Sequence, residues 1–279
     1  MLIGAHVSTA GGLAEAPKHA ASCGCEVFQF FSRSPRGGSA PALTPDLLRD
    51  FRAACEVNKQ VEWYIHTPYY INLASEKVRI RQASIRVIRE ELERGSLLKA
   101  RYVMTHLGSA KDVGEERARN IVIQGLTSVL DGYRGTCELL IEISAGAGMI
   151  IGDTFEELHA ILKALKSHSG ICYDTQHAFA SGYDIRTSAA VETTLDAFDA
   201  IIGLEHLKLS HCNDSQSDLG SHKDRHEHIG KGKIGMAGFH ALMHNSRFSN
   251  INLVLETPSD GSVNDIATLK RLRSGHGNT

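Results

Sequence analysis

The chain has 279 residues, of which 42% are hydrophobic and 22% are charged, and its formal net charge at pH 7 is -2. This composition is typical of a globular protein with a sizeable core, and no apolar run approaches the roughly 18 residues that a membrane-spanning helix needs. The near-neutral charge argues neither for nor against a nucleic-acid partner, because the basic surface for such a partner would be local.

The N-terminus and the cysteines bear on the compartment. The first residues, MLIGAHVSTAGG, have no charged segment followed by an apolar one, so no signal peptide is predicted. The six cysteines show no Cys-x-x-Cys spacing and are predicted to be reduced thiols. Both observations predict a cytoplasmic protein.

Apolar runs alternate with segments of helical periodicity along the whole chain. Strands are predicted at residues 2–7, 26–31, 61–65, 101–105, 138–141, 171–173, 206–210 and 251–255. Helices are predicted at residues 45–58, 74–99, 114–130, 187–202, 236–244 and 263–272. Two more are predicted, one that ends at residue 22 and one that begins after residue 153. Thr44 is the expected cap ahead of Pro45, and Asp153 is expected to cap its helix with Glu156 in a capping box.

This alternation predicts a parallel sheet in one α/β domain that spans residues 1–279. Eight strand–helix units fit a closed (β/α)8 TIM barrel, and an open doubly wound sheet is the alternative. In a barrel, all strand C-termini meet at one mouth, whereas an open sheet would spread ligand-bearing strand ends along a line.

The residues at the strand ends favour the barrel. Six apolar runs end at an imidazole or a carboxylate, namely His66, His106, Glu142, Asp174, His211 and Glu256. His177 follows in the predicted loop after Asp174, and Asp224 and His226 lie in the polar loop 212–235. Five imidazoles and four carboxylates suit zinc, and to a lesser degree manganese or iron. Since one zinc ion takes three or four protein ligands, the nine residues predict two or three ions, with Glu142 as the candidate bridge.

Each of these residues has a structural alternative, because a single strand-end histidine or glutamate is often a hydrogen-bonding or ion-pair partner. Nine such residues at convergent strand ends would require many coincidences. His6 is expected to face the same mouth, and His222 and His228 are alternative ligands. Other histidines are expected at the surface, such as His19, His159, His168, His240, His244 and His276.

Four motifs resemble endonuclease IV, the zinc-dependent apurinic/apyrimidinic endonuclease family of base-excision repair. They are HTPYYINL (66–73), DTQHAFASGYD (174–184), HCNDS (211–215) and DRH (224–226). The likeness extends from GAHVS (4–8) to LET (255–257). It implies a TIM barrel with three zinc ions, with manganese as an alternative metal. It also implies that a monomer hydrolyses the phosphodiester 5′ to an abasic site in double-stranded DNA, leaving a 3′-hydroxyl and a 5′-deoxyribose phosphate.

The resemblance implies three ligand sets. The first zinc is assigned to His66, His106 and Glu142, the second to Glu142, Asp174, His211 and Glu256, and the third to His177, Asp224 and His226. Glu142 and Glu256 are the implied catalytic residues, since Glu142 bridges two ions and Glu256 orients or deprotonates the attacking water. The third ion is expected to stabilise the departing 3′ oxygen.

Three segments depart from the family pattern. ISAG (143–146) replaces NTAG, HLG (106–108) replaces HPG, and SPRGG (34–38) replaces a loop in which arginine is followed closely by tryptophan. No ligand is lost, so the departures concern how the damaged duplex is probed.

The two loops expected at the rim of the mouth carry basic residues. They are Arg33 and Arg36 after the second strand, and Lys223, Arg225, Lys231 and Lys233 after the seventh. Such side chains supply most phosphate affinity, although each is also compatible with a solvated surface. Tyr69 could fill the gap of a missing base, whereas Tyr70 is expected to pack at the rim. Arg36, Tyr69 and Arg225 are the predicted DNA contacts.

Two other functions fit a metal-binding barrel. A sugar isomerase or epimerase would need typically two ions and a base, and would leave His177, Asp224 and His226 without a role. A barrel that binds damaged DNA without cleaving it would not need the full set of ligands for hydrolysis.

Overall fold

The structure is a computed structural model that describes residues 1–165, 169–258 and 260–275. The histidines His168 and His276, expected at the surface, lie outside these residues. Within them the strands are β1 (Ile3–His6), β2 (Val27–Phe30), β3 (Glu62–His66), β4 (Tyr102–Thr105), β5 (Glu138–Glu142), β6 (Ser169–Cys172), β7 (Leu207–His211), β8 (Asp214–Ser215), β9 (His226–Glu227) and β10 (Asn252–Leu255). The α-helices are α1 (Ala16–Ser22), α2 (Pro45–Val57), α3 (Val78–Leu98), α4 (Glu115–Leu130), α5 (Phe155–Leu165), α6 (Thr175–Ala180), α7 (Ser188–Ile201), α8 (Gly235–His244) and α9 (Ser262–Arg273).

The parallel strands close into a barrel in the order β1-β10-β7-β6-β5-β4-β3-β2. The predicted TIM barrel is therefore confirmed, and the open sheet is wrong. The barrel closes between β1 and β10, where Gly4 pairs with Val254 and Ala5 with Leu255. Only glycine fits at position 4, because a Cβ there would lie 1.7 Å from the carbonyl oxygen of Val27 on β2. Among the described helices, none is long and apolar enough to cross a membrane.

Of the two predicted helix caps, one is confirmed and one is wrong. Thr44 caps α2, and its side chain accepts a hydrogen bond from the Leu47 N–H. The predicted cap Asp153 is wrong by one residue, because the Thr154 hydroxyl accepts the N–H of Glu157 at 3.2 Å. The Glu157 carboxylate turns back to the Gly152 N–H at 2.8 Å, so Glu157 takes the place that was expected of Glu156.

Two loops contain short elements that were not predicted. The segment after β6 forms the helix α6, although it was expected to be a loop. The long loop after β7 contains β8 and β9, which pair as antiparallel strands. These elements lie at the C-terminal end of the barrel, where they carry or position the ligands that were predicted beyond the strand ends.

Candidate metal centre

The inward-facing side chains of the barrel change from apolar to polar towards the C-terminal mouth. Residues two apart in a strand point to the same face. An apolar layer inside the barrel is formed by Val27, Tyr64, Tyr102, Met104, Leu140, Cys172, Leu209 and Val254. The residues that lie two positions further along the chain from members of this layer are Gln29, His66, His106, Glu142, Asp174, His211 and Glu256. Strand periodicity therefore places six of the predicted ligands in the next layer of the interior.

The carboxylate of Glu142 lies at the centre of this polar layer and is 1% exposed. Its Oε2 is 3.3 Å from His66 Nε2 and 3.4 Å from His106 Nε2. Its Oε1 is 2.8 Å from His211 Nδ1 and 3.4 Å from His177 Nδ1. One carboxylate therefore faces four imidazoles through both of its oxygens, which is an arrangement suited to a bridging ligand.

Two clusters of candidate ligand atoms share Glu142. The first contains His66, His106 and Glu142, and the second contains Glu142, Asp174, His211 and Glu256; within each, the ligand atoms lie within 4.8 Å of one another. In the second cluster, His211 Nδ1 is 3.2 Å from Glu256 Oε2 and 3.9 Å from Asp174 Oδ2. The residues of these clusters are those that the family resemblance assigned to the first two ions.

The third cluster differs from the predicted set by one residue. It contains Asp174, His177 and His226 within the same limit. Asp224 lies at its outer side, with Oδ1 3.5 Å from His177 Nε2 and 3.6 Å from His226 Nε2 and with 51% of its side chain exposed. His226 Nε2 is also 3.8 Å from Asp174 Oδ2. Asp174 therefore lies between the second and third clusters, and Asp224 closes the third on the solvent side.

Local structure explains how the third cluster is positioned. Asp174 is the N-cap of α6, and its Oδ1 accepts the N–H of His177 at 2.8 Å, so that both side chains are held by one helical turn. On the other side, His226 pairs with Ser215 in the β8–β9 hairpin. The hairpin thereby returns the long loop to the mouth of the barrel.

Gln29 is a buried residue of the centre that the sequence analysis did not identify. Its Nε2 donates to Glu256 Oε1 at 2.6 Å and lies 2.9 Å from His6 Nδ1. Its Oε1 is therefore left to accept the Nε2–H of His211 at 2.8 Å. That hydrogen bond assigns the proton to Nε2 and leaves His211 Nδ1 free to act as a ligand in the second cluster. The signal in the sequence was a polar residue at an inward position of an otherwise apolar strand, VFQF.

Gln29→Leu is expected to lower the affinity for metal by about 10- to 100-fold, the typical cost of losing a partner that orients ligands. The leucine keeps much of the volume but can neither accept from His211 nor donate to Glu256. Competition with a chromogenic chelator measures the change. Gln60→Leu is the matched control, because Gln60 is also buried but bonds to the carbonyl oxygens of Cys25 and Asn58. Equal affinities in the two variants would contradict the role of Gln29.

Two carboxylates of the centre, Glu142 and Glu256, are held in the anionic form. Burial raises the pKa of Glu142, but the neighbouring imidazoles, led by His106 and His211, outweigh it and bring the pKa well below its usual range. The pKa of Glu256 is also lowered, because His211 and a hydrogen bond with His6 outweigh its burial. Buried anions of this kind need positive partners.

In the first cluster, the spacing of the ligand atoms fits a shared metal ion better than direct hydrogen bonds. With bonds of 2.0–2.1 Å, the ligands of a tetrahedral zinc stand about 3.3 Å apart. The His66–Glu142 and His106–Glu142 separations of 3.3 and 3.4 Å match this value. His226 Nε2 is buried without a hydrogen-bond partner although two carboxylates lie near it. The residues therefore fit divalent metal ions.

The clusters open into a cavity of about 570 Å³ at the mouth of the barrel, lined by His66, Tyr69, Tyr70, Ile71, Asn72, His106, Gly108, Ser109, Ile150, His177, Asp224, His226 and Glu256. All three clusters contribute to this lining. Tyr69 is 70% exposed, and its ring packs edge-on against Phe31 at 5.1 Å between centroids. The cavity is therefore open to a large substrate and has an aromatic ring at its rim.

The predicted basic contacts lie in different environments. Arg36 and Arg225 are exposed, and Arg225 donates to the carbonyl oxygen of Asp224 at 2.7 Å. Arg33, which was expected at the surface, is buried and pairs with Glu91 at 2.5 Å and Glu90 at 2.7 Å. Arg33 is therefore a structural residue of the loop and not an available phosphate contact.

Comparisons with known proteins identify the family of the chain. A family model described as xylose isomerase-like TIM barrel matches residues 17–274. A protein of Methanoculleus marisnigri named probable endonuclease 4 is 38% identical over 276 residues, which cover 98% of this chain and 98% of that protein. A probable endonuclease 4 of Nitrosopumilus maritimus is 36% identical over 277 residues, covering 98% and 99% respectively.

Solved structures show the same relationship. The crystal structure of endonuclease IV from Thermus thermophilus has a TM-score of 0.88 and 32% identity, and the match covers 99% of this chain and 100% of that chain. A D-tagatose 3-epimerase-like protein matches with a TM-score of 0.74 and 18% identity, covering 99% and 98%. The second likeness extends to the fold alone.

Proposed function

Because the chain belongs to the endonuclease IV family and is a metal-dependent nuclease, we propose that it hydrolyses the phosphodiester 5′ to an abasic site in double-stranded DNA. The products are a 3′-hydroxyl and a 5′-deoxyribose phosphate, as required for base-excision repair. The observation that carries this proposal is the presence of three ligand clusters, linked through Glu142 and Asp174, around one open cavity. The monomeric state and the cytoplasmic location stay predictions of the sequence.

We assign three zinc ions to the clusters, with manganese as an alternative metal. His66 and His106 would hold the first with Glu142, and Asp174, His211 and Glu256 would hold the second with the same glutamate. His177, Asp224 and His226 would hold the third, next to Asp174. Bound there, such ions polarise a phosphoryl oxygen, lower the pKa of water and neutralise a leaving oxygen.

The protein groups around the clusters provide orientation and proton transfer. Glu256 lines the cavity, and Gln29 fixes its Oε1 while Oε2 faces His211. As an ionised carboxylate in this position, Glu256 can align the attacking water and accept its proton. The buried hydrogen bonds hold this geometry before substrate arrives, so little reorganisation is needed in the transition state.

The rim residues provide contact with the duplex. Tyr69 presents an exposed ring at the rim of the cavity, where it can stack in the space left by the missing base. Arg36 and Arg225 are exposed guanidinium groups on the two loops that border the mouth, and they are assigned to DNA phosphates.

Incubation of an end-labelled duplex that carries one abasic site tests the proposed function. The expected result is a single cut on the 5′ side of the lesion, with a product that a DNA polymerase can extend, and loss of cleavage after treatment with a chelator. An intact duplex in the presence of bound metal would contradict the proposal. Turnover of free sugars without DNA cleavage would favour the epimerase function instead.

A further inference from the structure

A second cavity of about 660 Å³ lies between the loop after β2 and helix α3. We call it the α3 groove, and its lining includes Arg36, Gly37, Gly38, Tyr70, Arg86 and Glu90. Tyr70 also lines the metal cavity. The groove therefore borders the proposed active site, and a ligand that extends from one cavity can enter the other.

One face of α3 forms the wall of the groove. Ala83, Arg86, Val87 and Glu90 all line it, and their spacing of three and four residues places them on the same side of a helix. Arg86 is exposed on this face, whereas Val87 is buried beneath it. The side chain of Arg86 is thus supported by a regular helix and lines the same groove as Arg36.

The opposite wall is fixed to α3 by a buried polar network. Arg94 donates to the Ser32 hydroxyl, to the Ser32 carbonyl and to the Pro41 carbonyl, each at 2.7 Å. The carboxylate of Glu91, which is fully buried, accepts from Ser32 at 2.6 Å and from Arg33 at 2.5 Å. Both ends of the loop segment 32–41 are therefore held, so the groove is a preformed feature.

The charges of the groove do not cancel. Glu90 and Glu91 are paired with Arg33, and Arg94 balances the remaining negative charge of this network. In the described part of the chain, no ion pair or side-chain hydrogen bond involves the guanidinium of Arg36 or Arg86. Two positive charges are thus left facing the groove, which suits an anionic ligand.

The loop also leaves room for a ligand to approach its backbone. Gly37 and Gly38 adopt φ angles of 112° and 97°, which favour glycine. No heavy atom lies within 4 Å of the position where a Cβ would stand on either residue. The backbone next to Arg36 is therefore accessible to a ligand in the groove.

From these features, we infer that the α3 groove is a second DNA subsite, in which Arg86 and Arg36 bind a backbone phosphate of the duplex away from the scissile bond. The inference rests on the proposed function in taking duplex DNA as the ligand. It assigns a DNA contact to helix α3, which none of the motifs 66–73, 174–184, 211–215 and 224–226 contains. Arg86 acts here as a binding residue and has no role in the chemical step.

Arg86→Ala is expected to weaken binding to an undamaged duplex by roughly three- to tenfold and to reduce the slope of log affinity against log salt by about 0.9, the effect of losing one phosphate contact. Fluorescence anisotropy of a labelled duplex at several salt concentrations measures both. Arg86→Lys should retain most of the slope, because lysine preserves the charge. Arg134→Ala is the matched control, since Arg134 is exposed in the loop before β5, at the other end of the barrel.

Incision kinetics separate this subsite from lesion recognition. Arg86→Ala is expected to raise KM for the abasic duplex while kcat and metal content stay at parent values. Tyr69→Ala should lower the preference for abasic over undamaged duplex without changing the salt slope. If Arg86→Ala matched Arg134→Ala in affinity and slope, the subsite would be wrong. Because binding to undamaged duplex does not depend on cleavage, a parent protein that fails to incise would contradict the proposed function alone.

Discussion

Glu142→Ala is expected to abolish most of the nuclease activity, by a factor of at least about 100, and to lower the metal content by more than one ion per chain. The reason is that both carboxylate oxygens face imidazoles of different strands, with His66 and His106 on one side and His211 on the other. Removal of a bridging carboxylate takes a ligand from two sites at once. Elemental analysis of the purified protein and incision of an abasic duplex measure the two effects.

Two further variants separate the loss of a ligand from the loss of packing. Glu142→Gln keeps the volume of the side chain but loses the negative charge, so its metal content should also fall by more than one ion. Glu91→Gln is the control, because Glu91 is an equally buried carboxylate whose partners are Ser32 and Arg33. It should keep the parent's metal content. A Glu142→Ala protein with as much metal as the parent would contradict the bridging role.

Much of the fold and the convergence of the predicted ligands followed from the sequence because a strand has a strict period of two. In a parallel barrel, Leu140 and Val254 point into the interior. Glu142 and Glu256 follow them by two residues, so they also point inward, in the next layer towards the mouth. Gln29 obeys the same rule after Val27. It was missed because its strand ends in phenylalanine, so no ligand-type residue marked the strand end.

The features that were not predicted depend on contacts between distant segments. The buried position of Arg33 is determined by Glu90 and Glu91, which lie more than fifty residues later in the chain. The place of Asp174 beside His226 requires the β8–β9 hairpin to fold back over α6. A polar loop of this length has no periodic pattern from which such a fold could be read. Local sequence therefore predicted the candidate ligands but not all of their neighbours.

The third cluster distinguishes a nuclease from an epimerase built on the same barrel, and the double variant Asp224→Ala/His226→Ala tests it. The variant is expected to retain about two ions and an intact fold, yet to lose incision by a factor of at least about 100, the typical cost of removing a strong electrostatic stabiliser of a leaving oxygen. Only Asp174 and His177 would remain at the third site, fewer than the three protein ligands that a catalytic zinc requires.

The position of Asp224 and His226 explains why the other ions should survive. The first and second clusters contain neither residue, and the two side chains approach from the hairpin loop on the outer side of the cavity, where Asp224 is half exposed. Lys223→Ala/Arg225→Ala is the matched control from the same loop, and it should keep the full metal content. If the Asp224/His226 variant still bound three ions, or cleaved at the parent rate, the third site would have to be formed by Asp174 and His177 with other groups. The long loop would then serve to hold DNA and not metal, through basic side chains such as Lys223 and Arg225.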